Sequence, residues 1–199
     1  MKVYTPNVIR ETAEGLSCIP IADLMLQRRE IWLTGEIDSE QADSVICQLL
    51  HLEAENPDGE ITVYIDSPGG SVNAGLAIYD VMQAVPYKVK TVCVGMAASM
   101  AAVIFSAGDT REILRHGEVM IHDPLVRGGI SGSALAVQDR SDRLMRMREI
   151  ICGILAEHTG KSRKQIYKAT VKDTYFSAEE AVKFGLADCV IDRLERREA

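Results

Sequence analysis

Two residues, Ser99 and His122, have types and surroundings that could support nucleophilic catalysis. Ser99 lies between a strand pattern and a helix pattern in the segment GMAASM (95–100), and His122 follows a short apolar run that is typical of a buried strand. A serine hydroxyl is a weak nucleophile until a base takes its proton, and that base needs a third group to orient it. Each residue also has an ordinary structural interpretation, because serine is a common helix N-cap and a lone histidine is usually a satisfied structural group.

The acid that would orient His122 cannot be chosen from the residues alone. Asp123 is adjacent, but side chains one residue apart on a strand face opposite ways. Asp66 and Asp173 both lie at the ends of predicted elements. The choice of acid therefore stays open at this point.

A paired-glycine segment, SPGGS (67–71), joins a predicted strand to a predicted helix. Because glycine has no Cβ, the backbone there can approach a ligand closely and present its N–H groups. Such groups stabilise the oxyanion in acyl transfer, and we expect Gly70 to supply one N–H and Met100 the second. An ordinary strand-to-helix turn would have the same local sequence.

The elements that must position these residues alternate between short β-rich runs and helical patterns. This alternation predicts an α/β fold with mostly parallel strands. Strands are predicted at 30–34, 61–66, 88–94, 118–121 and 189–191. Helical patterns are predicted at about 42–52, 72–79, 99–107, 133–159 and 177–185. The helix at 133–159 is long for a domain of this size, which suggests that part of it packs on another subunit.

Composition and charge exclude several classes of function. The chain has 199 residues, 47% of them hydrophobic, and a formal net charge of −7, so nucleic acid and anionic membranes are poor partners. The longest weakly polar run, 94–108, is too short to span a bilayer, and no signal peptide is apparent, so we expect a cytoplasmic protein. The five cysteines form no CxxC pair, so a zinc site is a poor interpretation, and no phosphate-binding loop for ATP is present. Acyl transfer by a serine and a histidine needs neither a metal nor an organic cofactor, so none is expected.

Four segments resemble the proteolytic subunit of the ATP-dependent Clp protease, the ClpP family. They are YIDSPGGSVNAGLAIYDVM (64–82), GMAASMAA (95–102), MIHDP (120–124) and KDTYFSAEEAVKFGL (172–186). The resemblance runs from about residue 31 to residue 192 and implies a serine endopeptidase. It implies that Ser99 is the nucleophile, His122 the general base and Asp173 the orienting acid. It also implies an oxyanion hole formed by the Gly70 and Met100 amides.

The same resemblance implies an architecture. It is a single crotonase-like domain over residues 1–199, an α/β fold built as a ββα spiral. An N-terminal axial segment would cover residues 1–18, and a protruding handle of one strand and the long helix would cover about 120–159. The handle strand would bind the substrate backbone by strand addition. The substrate-binding residues implied are Gly69, Gly128, Gly129, Ile130 and Ser131.

The resemblance also implies an assembly and partners. Family members form seven-membered rings stacked in pairs, a tetradecamer whose active sites face a closed chamber. Polypeptide substrates would be fed into the chamber by an AAA+ unfoldase of the ClpX or ClpA type, which would consume the ATP.

Several positions depart from the family pattern. Asp123 stands where the family usually has glutamine beside the histidine. Val171 and Lys172 replace an acidic residue and an arginine that commonly link the two rings. Thr62 and Ala84 stand where the apolar pocket for the unfoldase usually has larger aromatic residues.

These departures keep alternatives open. One is a phage-type capsid-processing protease of the same fold, which would share the chemistry but not the unfoldase. Another is a non-catalytic ring subunit that supports an active partner. A crotonase-type acyl-CoA enzyme has the same fold class, but it typically uses carboxylates rather than a serine and a histidine.

Overall fold

The computed structural model of the chain describes residues 6–13, 15–56, 58–126, 128–129 and 131–194. Within these ranges the chain forms nine strands and seven helices. The strands are β1 (Asn7–Thr12), β2 (Gly15–Pro20), β3 (Glu30–Ile37), β4 (Ile61–Gly70), β5 (Val89–Ala98), β6 (Thr110–Leu114), β7 (Glu118–Ile121), β8 (Thr174–Ser177) and β9 (Cys189–Ile191). The helices are α1 (Ile21–Gln27), α2 (Ser39–Glu55), α3 (Val72–Ala84), α4 (Met100–Ser106), α5 (Ala134–Thr159), α6 (Arg163–Thr170) and α7 (Ala178–Phe184).

The main sheet has seven strands, and its central row has the order β3-β4-β5-β6-β9 with every pairing parallel. The first five residues of β4 and of β5 are all buried, as expected for parallel strands that are covered on both faces. β7 pairs parallel with the end of β5 and antiparallel with β8. The predicted α/β fold with a mainly parallel sheet is therefore confirmed, and it is consistent with a crotonase-like fold.

The strand ends predicted at residues 66 and 94, before glycines, are wrong, because β4 continues to Gly70 and β5 to Ala98. The register of the β4–β5 pair shifts between Ile65 and Ser67, and pairing resumes between Ser67 and Ala97. At this point the Asp66 carboxylate accepts the N–H of Met96, with 3.0 Å between oxygen and nitrogen. A Cβ at Gly95 would lie 2.5 Å from that carboxylate, so the glycine permits a bulge rather than ending the strand.

The helices that carry the core are α2, α3 and α4. All seven residues of α4 are buried, and the α2 side chains Ala42, Val45, Leu49 and Leu52 are buried as the sequence stripe predicts. The Asp38 side chain caps α2 by accepting the Gln41 N–H. Ser177 caps α7 in the predicted capping box with Glu180.

The long helix α5 is buried only near its C-terminal end. Its buried residues are Ile151, Cys152 and Leu155, so the first four turns of the helix are not part of the core of this chain. Gly160, in the left-handed conformation at φ 67°, ends the helix as predicted.

Part of the chain that lacks a clear sequence signal is also ordered into elements. β1 and β2 form an antiparallel hairpin that covers most of the predicted axial segment 1–18 and extends two residues past it, to Pro20. Residues 1–5 and 14 of the segment lie outside the described residues. Between β7 and α5 the described residues form no strand, and Gly128, Gly129 and Gly132 all have positive φ. In the described part of the chain, no helix combines the length and the apolar character needed to cross a membrane.

Candidate active site

Ser99 joins β5 to α4 in a backbone conformation that is rare for a residue with a side chain. Its φ is 56° and its ψ is −122°, a combination that costs on the order of 1–3 kcal/mol and is typical of functional sites. The turn is held because the Ser99 N–H donates to the Met120 carbonyl of β7 over 2.8 Å. The Ser99 side chain makes no capping hydrogen bond to α4, so the N-cap interpretation of this serine is wrong.

His122 follows β7 directly and reaches the serine. Its Nε2 lies 2.8 Å from Ser99 Oγ. The parallel pairing of β5 with β7, Ala98 beside Met120, brings the ends of the two strands together and so places the two side chains at the same edge. The imidazole is only 14% exposed, so it has little contact with bulk water in this chain. An unprotonated Nε2 in this position can accept the hydroxyl proton.

Asp173 lies on the other side of the same imidazole. The antiparallel register of β7 and β8 pairs Ile121 with Thr174, so the next residues outward, His122 and Asp173, face each other. His122 Nδ1 is 3.4 Å from Asp173 Oδ1, slightly longer than an ordinary hydrogen bond, and the carboxylate is 60% exposed. Of the three carboxylates that the sequence left open, Asp173 is the one that faces Nδ1.

The other two carboxylates have different partners. Asp66 accepts the Met96 N–H at the bulge, as described above. Asp123 accepts a hydrogen bond from the Arg148 Nε over 2.7 Å. Sequence reasoning missed both contacts, because each joins residues that are far apart along the chain.

Neither of the paired glycines has room for a side chain, because Gly69 packs against the Ser99 turn and Gly70 against the backbone of β3. Gly69 has a φ of 85°, and a Cβ there would lie 2.5 Å from the Ala98 carbonyl oxygen and 2.7 Å from Ser99 Cβ. A Cβ at Gly70 would lie 2.2 Å from the Ile37 carbonyl oxygen. The segment is therefore the end of β4 and not the turn that the sequence predicted, and glycine is required at both positions.

The candidate oxyanion donors lie beside the serine. Met100 is the first residue of α4, and the first N–H groups of a helix have no acceptor within it. Gly70 lines the same cleft as Ser99 and His122. The Gly69 N–H instead donates to Ser67 Oγ over 3.1 Å, so it is engaged within the β4 end.

A cleft of about 430 Å³ opens in front of the serine. Its lining includes Gly70, Val72, Ser99, Met120, His122 and Leu125. An apolar recess beside it reaches into the core between α4 and α5 and is lined in part by Val103, Ile151 and Leu155. The cleft can therefore hold a short stretch of polypeptide with its backbone next to the Ser99 hydroxyl.

The predicted substrate-binding segment is only partly described. The described lining of the cleft extends along this segment as far as Leu125, and Gly128, Gly129 and Ser131 are exposed beyond it. Ile130 lies outside the described residues. The part of the chain that the structure describes also contains no cluster of three or more His, Cys, Asp or Glu side chains that could hold a metal ion.

Comparison with known families gives a match over most of the chain. The family model for Clp protease matches residues 13–194 of the chain. The match includes every element from β2 to β9 and all of the residues that surround the cleft.

Proposed function

Because the chain belongs to the Clp protease family, and is therefore a peptidase of the ClpP type, we propose that it is a serine endopeptidase that uses Ser99, His122 and Asp173. The observation that carries this proposal is the 2.8 Å approach of His122 Nε2 to Ser99 Oγ, with Asp173 on the opposite ring nitrogen. A serine in a strained turn beside a histidine that faces a carboxylate is the arrangement that nucleophilic acyl transfer requires.

In the proposed mechanism, His122 takes the proton of the Ser99 hydroxyl while the oxygen attacks the carbonyl carbon of the scissile peptide. The N–H groups of Gly70 and Met100 stabilise the oxyanion, and loss of one such donor costs about 10²–10³ in rate. The imidazolium then protonates the leaving amine, and the peptide bond breaks to give the acyl-enzyme. A water molecule, deprotonated by the same imidazole, hydrolyses the ester and restores Ser99. Asp173 fixes the Nδ1–H tautomer and stabilises the imidazolium.

The proposed working form is a homo-oligomer of heptameric rings, stacked in pairs around a chamber in the cytoplasm. Support comes from the exposed apolar side chains on the first half of α5 and around Asp173, namely Leu135, Val137, Val171 and Tyr175. Apolar surface of this kind is stabilised when another subunit covers it. Sedimentation velocity measures the mass of the assembly, and a species that stays monomeric at micromolar concentration would contradict this part of the proposal.

The proposed partner is an AAA+ unfoldase of the ClpX or ClpA type. One observation favours a second candidate, a capsid-processing protease without an unfoldase. Thr62, where the family pocket usually has an aromatic residue, pairs with Lys90, whose ammonium binds the Glu112 carboxylate over 2.8 Å. The position at which family members have an aromatic residue of the unfoldase pocket therefore neighbours a largely buried ion pair in this chain. This difference from the family pocket is the reason for considering a protease that works without an unfoldase. Degradation of a stably folded substrate only when an unfoldase and ATP are added supports the first candidate, and unfoldase-independent cleavage of a single structural protein supports the second.

The peptidase proposal is tested by cleavage of a fluorogenic peptide and of an unfolded protein by the purified chain. We expect wild type to cleave both, and Ser99→Ala to cleave neither. The matched control is Ser44→Ala, because Ser44 is an exposed serine on α2 that is outside the described cleft lining. Equal cleavage by Ser99→Ala and Ser44→Ala would contradict the assignment of the nucleophile.

A further inference from the structure

Asp123 follows His122 directly, and its side chain is bound to the long helix. Its Oδ2 accepts a hydrogen bond from Arg148 Nε over 2.7 Å. The two side chains are 30% and 21% exposed, so the ion pair is largely shielded from water. Among the described residues, the second carboxylate oxygen of Asp123 is buried and has no hydrogen-bond partner. The carboxylate therefore depends strongly on the guanidinium for its stabilisation.

The backbone of Asp123 is bound to a third segment. Its N–H donates to the carbonyl oxygen of Thr170 over 2.7 Å. Thr170 is the last residue of α6 and precedes Asp173 by three residues. One residue thus connects the chain that carries His122, the chain that carries Asp173, and the helix α5.

Arg148 is itself held in place by α6. Its guanidinium lies over the Tyr167 ring, 4.5 Å from the ring centroid, and the Tyr167 hydroxyl donates a hydrogen bond to Glu149 on α5. The hydrogen bond with Asp123 raises the pKa of Arg148 against the opposing effect of burial, which is consistent with a strong charged contact. The guanidinium is therefore held by contacts with α6, and it in turn restrains the Asp123 carboxylate.

We propose that Asp123 and Arg148 form a positioning pair that holds His122 at the correct distance from both Ser99 and Asp173. This inference rests on the proposed function, because it assigns the pair to the same proton transfer. The pair touches neither substrate nor reacting atoms, and it acts by fixing the backbone on the C-terminal side of the imidazole. The contact that depends on it most is the one between His122 Nδ1 and Asp173, which is 3.4 Å long and formed by an exposed carboxylate.

Removal of the guanidinium would leave a shielded carboxylate without its counter-charge. The carboxylate would then move toward water, and this movement would displace the backbone of the adjacent His122. A displacement on the order of 1 Å at a catalytic group costs about 10² in rate. We expect Arg148→Met to lower kcat by about 10–10², and to leave KM within about twofold because the cleft itself is unchanged.

The experiment compares Arg148→Met, Asp123→Asn and the charge-reversed double variant Asp123→Arg/Arg148→Asp. Peptide kcat and KM are measured per active site, with sites counted by fluorophosphonate titration so that unfolded protein does not contribute. We expect the double variant to recover at least part of the kcat that Arg148→Met loses, and Arg148→Lys, which keeps the charge, to retain more activity than Arg148→Met. Arg115→Gln is the control, because it breaks an exposed pair with Asp192 whose nitrogen–oxygen distance is 2.8 Å, close to that of the Arg148 pair.

The possible results distinguish a failure of the positioning pair from a failure of the peptidase proposal. If wild type cleaves peptide and Arg148→Met has the same kcat per site as Arg115→Gln, the positioning pair is refuted and the peptidase proposal stands. A rise in KM with kcat unchanged would also refute it, because that result indicates a substrate-binding role. If wild type itself is inactive, the peptidase proposal fails and the inference fails with it.

Discussion

Substitution of Gly69 by alanine probes the junction between the paired glycines and the serine. The residue has a φ of 85°, and an alanine in this left-handed region costs on the order of 1–2 kcal/mol. The new methyl group would also lie 2.5 Å from the Ala98 carbonyl oxygen and 2.7 Å from Ser99 Cβ. Because the first of these is a backbone atom that cannot rotate away, overpacking adds about 1–3 kcal/mol.

These contacts can be relieved only if the Ser99 turn or the β4 end moves. Separating the methyl group from the Ala98 oxygen to at least 3.0 Å requires a shift of roughly 0.5 Å at this contact. Since a displacement of about 1 Å costs about 10² in rate, we expect Gly69→Ala to lower kcat by about 10-fold or more. The total destabilisation of about 2–5 kcal/mol does not exceed the roughly 5–15 kcal/mol by which a domain is usually stable, so we expect folded protein to remain.

Gly35 offers a matched control. Its φ is 75°, and a Cβ added there meets no atom within 4 Å, so Gly35→Ala has the same backbone cost without the push on Ser99. The assay is peptide kcat per titrated active site, together with urea unfolding of both variants. Equal kcat values for Gly69→Ala and Gly35→Ala would show that a methyl group at position 69 does not displace Ser99.

Three further predictions concern the acid, the pH dependence of stability and the thiols. Asp173→Asn should lower kcat by about 10²–10⁴, because an amide would not fix the Nδ1–H tautomer, and a loss under threefold in steady-state kinetics would contradict the role of this acid. Burial alone would raise the pKa of Asp188, but the Arg111 hydrogen bonds and charge outweigh it and hold the pKa below its usual 3.8. The pKa of Asp188 is then lower in the folded than in the unfolded chain, so this carboxylate stabilises the fold above pH 4 and loses that contribution as pH falls through the folded-state pKa. In urea titrations below pH 4, the free energy of unfolding should fall less steeply with decreasing pH in Asp188→Asn than in wild type, and equal slopes would contradict this. Burial raises the pKa of Cys93 to about 12, so a thiol reagent at pH 8 should modify exposed Cys47 in the folded protein and Cys93 only after unfolding, and equal labelling rates would contradict this.

Much of the fold follows from hydrophobic patterns, and the failures have identifiable causes. The apolar runs at the starts of β4 and β5 and the stripe of α2 are strong signals because these residues are buried. β6 gave no such signal, because only Ile113 of its five residues is buried and its Arg111 is used in a side-chain contact with Asp188. The strand end predicted at Gly95 is wrong because a glycine that permits close approach to Asp66 cannot be distinguished in a sequence from a glycine that ends a strand.

Some residues of the candidate site could be predicted from the sequence, and others could not. Ser99 and His122 have local signals, a small-residue turn and the end of an apolar strand, and the structure brings the two side chains to 2.8 Å. The residues alone do not single out Asp173, because its place opposite His122 depends on the β7–β8 register, which joins segments more than 50 residues apart. The contact of Asp123 with Arg148 spans 25 residues and also lacks a local signal. The position of Asp123 next to His122 indicates only that the two side chains face opposite ways, and it does not indicate which residue binds the carboxylate.

The central claim is that His122 activates Ser99 within a proton-transfer chain completed by Asp173. Its most direct test is the rate and the site of modification by a fluorophosphonate, followed by intact-mass analysis and peptide mapping. We expect one adduct per chain, located on Ser99, absent in Ser99→Ala and formed about 10²–10⁴ more slowly in His122→Ala. An adduct on any other residue, or an unchanged rate of Ser99 modification in His122→Ala, would contradict it.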